Sequence, residues 1–565
     1  MPEPFWEKSY PPGVSWWLDF QPKPIFDVLD EATTKYPNNP CVDFMDKKLN
    51  YADISDLVDR AAKGFQQIGV TKGTHVGLYL PNTPHYIICF YAILKAGGIV
   101  VNYSPLDAAQ ELEHKIVDSE TDILVTLDLN LLYPNMAPML EKTRLKKLVV
   151  GSIADFLPFP KNLLFPLVRS KDLAKVPKDD RHVSYRKLVA NDGRYESHPM
   201  GELDEEIAIL QYTGGTTGLP KGAMLTHSNL TATVMLLEQW GQGENPIMDE
   251  GAERFLVVLP LFHIFALSIA MLMGMRGAAE LILHPRFELD DVIRDIGRKK
   301  PTFFPGVPTM YTALLGHPEA ANVDMSSLKF CNSGGAPLPV DVQQRFEAAT
   351  GCKLVEGWGM TETCAPGIAT PIAGLRKEGA AGIPMPGITV EFVDVEDPMK
   401  LLPYGETGEI CVTGANIMKG YWNNPAATEE VFAGGRMHTG DIGYMDEDGF
   451  VYIVDRKKDM ITSSGYNVYP RNIEDAIYQH PDVEECTVIG IPDEYRGESA
   501  KAFVKLKAGA SEFGIDELRE FLADKLGKHE LPQAVDFRAE LPKTPVGKLS
   551  KKELVEEERL KRESA

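Results

Sequence analysis

The chain has 565 residues, too many for one ordinary core, so at least two domains are expected. Hydrophobic residues at 44% and charged residues at 25% are those of a soluble globular protein. A net charge of −23 without a long Lys- or Arg-rich block argues against nucleic acid as a partner. Seven cysteines, an odd number with no CxxC pair, indicate neither a disulfide framework nor a zinc site and fit a reducing cytosol.

The N-terminus, MPEPFWEKSYPPGVSWWLDF, has no basic stretch followed by an apolar core, so no signal peptide is expected. From Phe26 to about Gly490, short apolar runs alternate with helix-like segments, the pattern of α/β layers. HVGLYL, HYIICFYAILKAG and IVVNYS illustrate it. The segment from Gly151 to Arg194 breaks the rhythm with ADFLPFPKNLLFPLVRSKDLAKVPKDD and reads as a surface insertion. Its Phe and Leu residues beside Lys and Arg could touch a membrane surface, although its prolines preclude one regular amphipathic helix. A loop packed on the domain is the plainer reading.

YTGGTTGLPKGAMLTH, Tyr212 to His227, follows the strand-like IAILQY and precedes SNLTATVMLLEQW, a helix that Ser228 could cap. Freed backbone N–H groups and threonine hydroxyls suit anionic oxygens. A Walker loop needs glycine before its lysine and Ser/Thr after it. Here Pro220 precedes Lys221 and Gly222 follows, so the loop is suited to phosphate but is not of that type. Phe255 to Met275 is apolar for about 21 residues, long enough to span a bilayer, but Pro260 and His263 interrupt it. It reads as a buried strand, a break, then a buried helix. After VYIVDRKKDMI the chain changes character. CTVIGI, KAFVKL and the amphipathic IDELREFLADKLG, with Ile515, Leu518, Leu522 and Leu526 on one face, suffice for a small α+β domain.

YTGGTTGLPKG closely resembles the signature of the adenylate-forming (AMP-binding) superfamily of acyl-CoA synthetases, luciferases and peptide-synthetase adenylation domains. SGGAPL (Ser333–Leu338), EGWGMTET (Glu356–Thr363), HTGDIGYMDEDGF (His438–Phe450) and PKTPVGKLSKKEL (Pro542–Leu554) match further segments in order, so the resemblance covers nearly the whole chain. It implies an α/β fold. A large N-terminal adenylation domain, residues 1–455, would have αβαβα layers and a β-barrel-like subdomain. A hinge at 456–458 would lead to a small mobile C-terminal α+β domain at 459–565.

The implied reaction joins a carboxylate to the ATP α-phosphate, releases pyrophosphate, and passes the acyl group to coenzyme A. By resemblance, Thr213, Gly214, Gly215, Thr216, Thr217, Gly218 and Lys221 hold the β- and γ-phosphates. Glu362, with Thr216, holds Mg²⁺, and Thr361 contacts phosphate. Gly334, Gly335 and Ala336, with Glu356, Gly357, Trp358, Gly359 and Met360, would form the adenine site, with Trp358 where many relatives carry tyrosine. Asp441 would accept the ribose hydroxyls, assisted by Arg456. Lys548 would steady the carboxylate and α-phosphate. Lys458 would be the hinge, and Ser464, Gly465 and Tyr466 part of the pantetheine tunnel. His263 is either a gate of the acyl pocket or a satisfied core histidine.

The resemblance is greatest to bacterial long-chain fatty acid–CoA ligases, through LEHKIVDS (Leu112–Ser119) and the insertion. Medium-chain or dicarboxylic acids remain open as substrates. A carrier-protein-loading adenylation domain, a luciferase-like oxygenase and a non-enzymatic module are the other readings, the last being expected to have lost Lys548, Glu362 or Asp441. A cytoplasmic protein, peripheral contact with the inner face of the membrane and a homodimer complete the expectations.

Overall fold

A computed structural model describes residues 4–213, 220–244, 246–463, 466–493, 496–544 and 547–563. The apolar runs of the first half form an eight-stranded sheet whose central strands His75–Leu78, Ile99–Asn102, Ile123–Leu127 and Lys147–Gly151 are parallel and almost wholly buried. Their near-continuous Val/Ile/Leu content fits a sheet covered on both faces. A nine-stranded sheet follows, with parallel pairs among Arg254–Val257, Glu280–Leu283, Phe303–Gly306, Phe330–Gly334 and Lys353–Trp358. The helix Pro84–Lys95 is apolar on all sides, and every one of its side chains is buried.

A five-stranded antiparallel sheet, including Gly408–Thr413, Met437–Met445 and Val451–Arg456, encloses a second core. The N-terminal Trp6, Tyr10, Val14 and Trp16 fill part of this core, fastened by Tyr10 to the Pro384 carbonyl (2.5 Å) and Trp16 to the Ile388 carbonyl (2.8 Å). The small domain pairs Val483–Asp493 with Gly497–Leu506 and packs the helices Pro470–Tyr478 and Ile515–Leu522 on them. Leu518 and Leu522 are buried, with Ile515 and Leu526 partly so.

Phe255 to Met275 resolves into the strand Arg254–Val257, a turn, and a helical run from Ile264 to Arg276. Its centre, Leu267–Leu272, is wound as a π-helix. No helix among the described residues is long and apolar enough to cross a membrane.

Two expectations need correction. Ser228 does not cap the helix His227–Gly241. The cap is Thr226, whose hydroxyl accepts from the Asn229 N–H (3.1 Å) while the Asn229 side chain accepts from the Thr226 N–H (3.0 Å). Thr226 ends a strand, so it alone has the extended backbone a cap requires, whereas Ser228 already lies inside the helix. Nor is Gly151–Arg194 an insertion throughout. His182–Ser184 pairs in parallel with Lys147–Gly151 and extends the eight-stranded sheet, and only the middle of the segment protrudes. There an eight-residue helix, Lys161–Val168, forms despite Pro166, which falls in its last turn.

Replacing Thr226 by Ala is expected to speed amide exchange at the start of the His227–Gly241 helix about fivefold, the effect of losing a cap worth about 1 kcal/mol. Ser228→Ala is expected to leave that exchange unchanged when both are followed by hydrogen-exchange mass spectrometry.

Candidate functional site

Both large sheets deliver the C-terminal ends of their parallel strands to one cleft, where open α/β sheets bind ligands. It measures about 2230 Å³ and reaches from the first sheet to the small domain. Tyr212 and Thr213 come from the end of Ile207–Tyr212, Gly334 to Ala336 follow Phe330–Gly334, and Glu356 to Trp358 end Lys353–Trp358. Asp441 and Arg456 are directly opposed in neighbouring strands. Thr213, Lys221, His263, Gly334, Gly335, Ala336, Glu356, Gly357, Trp358, Gly359, Met360, Thr361, Glu362, Asp441, Arg456, Lys458 and Lys548 all line this cleft. Gly214, Gly215, Thr216, Thr217, Gly218, Ser464, Gly465 and the side chain of Tyr466 lie outside the described residues.

Lys548 reaches the cleft from the small domain. A Cβ at Gly335 would lie 2.3 Å from its Cε and 2.7 Å from its Nζ, so the missing side chain of Gly335 is the space that Lys548 fills. The loop carrying it is locked by Gly547, at φ +82°, whose carbonyl accepts from the Thr309 hydroxyl across the domain boundary (3.1 Å). Within the loop, the Lys548 N–H donates to the Thr544 hydroxyl (3.1 Å). Burial and the Arg456 charge push the Lys548 ammonium down to about 8, against the pull of Asp441.

Asp441 is gripped from two sides. Trp358 donates its indole N–H to one carboxylate oxygen (2.8 Å), and Arg456 meets the other at 2.9 Å. The tryptophan therefore orients the carboxylate through its ring nitrogen, a role the aromatic position alone did not reveal. Glu362 is buried and accepts from the Tyr421 hydroxyl (2.7 Å), while Lys221 stands over the Tyr421 ring at 4.9 Å. Burial raises the Glu362 pKa, opposed by the Tyr421 hydrogen bond and by the Arg456 and Lys221 charges. Burial likewise pushes Glu356 up to about 7, with Arg471 of the small domain pulling it down. His263 accepts the Phe265 N–H at Nδ1 (3.3 Å) and caps the helical run that follows. Burial and the Lys548 charge push it down to about 3, so it is neutral and its proton sits on Nε2.

A polar network missed by the sequence reading holds His263 in place. The Asn82 side chain donates to the Val257 and Leu259 carbonyls and accepts from the Leu261 N–H. Tyr86 donates to the Leu261 carbonyl (2.8 Å), and Gln211 to that of Phe262 (2.9 Å). Asn102 joins Tyr86 to Gln211. These groups stitch the first sheet to the turn from Val257 to Phe262. Asp455 is a second omission. It accepts from the backbone N–H of Arg471 (2.9 Å) and Arg456 (2.7 Å), tying the last strand of the large domain to a small-domain helix, and burial pushes it up to about 6.

Cations and hydroxyls from both domains thus surround one cleft, the arrangement of an enzyme that binds an anionic substrate between two domains. A model of the AMP-binding enzymes matches residues 29–422, and one of the AMP-binding enzyme C-terminal domain matches 472–548. The chain belongs to this family. A long-chain-fatty-acid–CoA ligase of Bacillus subtilis (strain 168) is 41% identical over 557 residues, 98% of each chain. A feruloyl-CoA synthase of an Amycolatopsis species is 36% identical over 512 residues, 90% of this chain and 93% of the other. Among solved structures, the anthranilate CoA ligase AuaEII in complex with anthranoyl-AMP superposes with a TM-score of 0.85 at 25% identity, covering 96% of this chain and 99% of that one.

Gly335→Ala adds a methyl group where Lys548 lies and places a side chain at φ +79°, a strain of about 1–2 kcal/mol. The variant is expected to fold but to exclude Lys548. Exchange at the Lys548 amide should then rise at least tenfold by hydrogen-exchange mass spectrometry, with the first sheet unaffected.

Proposed function

We propose that the protein is an AMP-forming fatty acid–CoA ligase acting on long-chain acids in the cytoplasm. In the first step a carboxylate oxygen bonds to the α-phosphorus of ATP and the bond to pyrophosphate breaks. In the second, the coenzyme A sulfur bonds to the acyl carbon, AMP leaves with the bridging oxygen, and the thiol proton passes to solvent. The observation that carries this reading is Lys548 of the small domain filling the space over Gly335, beside Asp441, Arg456 and His263.

Lys548 meets the charge that develops on the carboxylate and α-phosphate, where one cation has most effect. The neutral His263 offers Nε2–H without adding charge. Asp441, aligned by Trp358 and Arg456, accepts the ribose hydroxyls, and Thr361 and Lys221 serve the phosphates. Among the described residues no three His, Cys, Asp or Glu gather to hold a metal alone. The buried carboxylate of Glu362 fits as one ligand of Mg²⁺ carried by the nucleotide, which would neutralise phosphate charge when bound. Thr216 would add its hydroxyl. Lys458, in the turn after Val451–Arg456, is assigned the hinge, and Ser464, Gly465 and Tyr466 the pantetheine path.

Leu237, Trp240, Ile247, Met248, Ile269 and Met273 wall one part of the cleft without a charged side chain. Such a wall favours a hydrocarbon chain and offers no cation for a second carboxylate, which sets dicarboxylic acids behind monocarboxylic ones. Trp240 and Ile247, with Ile372, separate the cleft from a small void of about 20 Å³ lined by Pro11, Pro12 and Gly243. Long-chain acids partition into bilayers, so the enzyme would meet its substrate at the inner face of the membrane.

AMP release with a series of fatty acids, ferulate and dicarboxylic acids, with and without coenzyme A, tests the assignment. CoA-dependent turnover rising towards long chains is expected, and faster turnover of ferulate or CoA-independent product formation would overturn it. Trp240→Ala is expected to shift the preferred chain to longer acids.

Lys548→Ala is expected to lower acyl-adenylate formation by about a hundredfold or more while sparing thioester formation from supplied acyl-adenylate. Because burial and the Arg456 charge hold Lys548 near 8, nucleotide charge should raise its pKa. Calorimetry in buffers of different ionisation enthalpy should then show proton uptake on ATP binding near pH 8. The uptake should fade at lower pH, where the lysine is already protonated, and vanish in Lys548→Ala.

A further inference from the structure

The helix Lys161–Val168 has no buried residue. It rests on the domain through Phe165, which packs against the main core, and turns Leu163, Leu164, Leu167 and Val168 outward. Leu163 is 63% exposed and Leu167 and Val168 are each 75% exposed. Phe159, just before the helix, is 80% exposed. A helix on a globular surface normally hides its apolar stripe and shows its polar one, and this helix does the reverse. Leu131, 77% exposed, adjoins it, because Asn130 bonds to the Asp172 and Lys171 carbonyls. The patch is therefore a surface of several large side chains rather than scattered single residues.

Its charge is equally unusual. Between Phe159 and Lys178 stand Lys161, Arg169, Lys171, Lys175 and Lys178 against the one acid Asp172, in a chain of net charge −23. Lys161 and Arg169 flank the helix at 61% and 64% exposure. Apolar side chains between Lys161, paired with Asp46, and Arg169, paired with Asp172, with Lys171, Lys175 and Lys178 following in the chain, complement the acyl and headgroup layers of an anionic bilayer. The acidic remainder of the chain opposes such contact only weakly beyond the Debye length of about 8–10 Å.

We propose that Phe159–Lys178 is the membrane-docking surface, with Leu163, Leu164, Leu167 and Val168 inserted among the acyl chains of an anionic bilayer and the lysines and arginine at the phosphates. The proposal shares with the assigned activity only the origin of the substrate. It is measured without turnover, so the two can fail separately.

Flotation of the full chain with phosphatidylcholine vesicles, alone or mixed with phosphatidylglycerol, provides the test. The protein should float with the mixed vesicles and less with the neutral ones. Leu163→Asp with Leu167→Asp should cut partitioning at least tenfold, yet leave turnover of a water-soluble short-chain acid unchanged. Replacing Lys171 by Ala should weaken binding to the mixed vesicles about fivefold and leave neutral vesicles unaffected. Leu163→Trp should retain flotation, its fluorescence quenched by brominated acyl chains. Three results would overturn the proposal: no flotation of the unaltered chain, equal flotation of the double variant, or a vesicle-free dimer in ultracentrifugation that the double variant dissolves. The last would make a second copy of the chain the occupant of this face.

Discussion

The packing of Lys548 into the space over Gly335 is the contact on which the assembled site depends. It needs an αL-type glycine on each side of the boundary, Gly335 at φ +79° and Gly547 at φ +82°, and a hydrogen bond from Thr309 to hold the incoming loop. It also costs free energy. Moving the ammonium from its ordinary value near 10.5 to about 8 corresponds to about 3 kcal/mol against insertion without ligand. The sign follows from the direction of the shift: this penalty is absent above the free lysine's pKa, grows as pH falls from about 10.5 to 8, and is fully present below 8. A bound polyanion reverses the balance. The same charge that creates the barrier would then hold the loop, and nucleotide binding would couple to it electrostatically.

Asp441 and Asp455 spread that coupling through the large domain. Asp441 is fixed by a tryptophan from one sheet and an arginine from another, so a shift of either strand disturbs the carboxylate. Asp455 lies next to Arg456 in the same strand and binds the first turn of a small-domain helix through the Arg471 N–H. That hydrogen bond crosses the domain boundary, while the contact of Arg456 with Asp441 stays within one sheet of the large domain. Burial raises the Asp455 pKa to about 6, opposed by the Lys551 charge and by the backbone hydrogen bonds from Arg471 and Arg456.

The alternation of apolar runs and the five signature segments carry enough local pattern to give the two-domain α/β organisation and to bring the described signature residues into one cleft. Other features had no such pattern. Asn82, Tyr86, Asn102 and Gln211 are single polar residues near the ends of apolar elements, and only the meeting of two sheets makes them a network. Gly335 looked like room for a flat ring, because no periodicity indicates that a lysine more than 200 residues away fills it. Thr226 and Ser228 are equally good caps by composition, and the strand ending at Thr226 decides between them. The prolines of the protruding segment hid a short helix because their positions, rather than their number, determine whether one turn can close.

The acyl wall and the phosphate side of the cleft are joined by one hydrogen bond. Ser268, in the π-wound centre of the helical run, donates to the Cys364 carbonyl (2.7 Å). Cys364 and Ala365 have φ of 55° and 91°, left-handed conformations that cost non-glycine residues about 1–3 kcal/mol each. Gly359 permits the turn, since a Cβ there would meet the Ala365 carbonyl at 1.3 Å. The π segment thus contributes Ile269 to the wall and, through Ser268, holds the strained turn next to Glu362. Repacking of Leu267–Leu272 would therefore bear on the Cys364–Ala365 turn, and through it on Glu362. The apolar wall and Glu362 are in this way tied together across the cleft by the Ser268–Cys364 hydrogen bond.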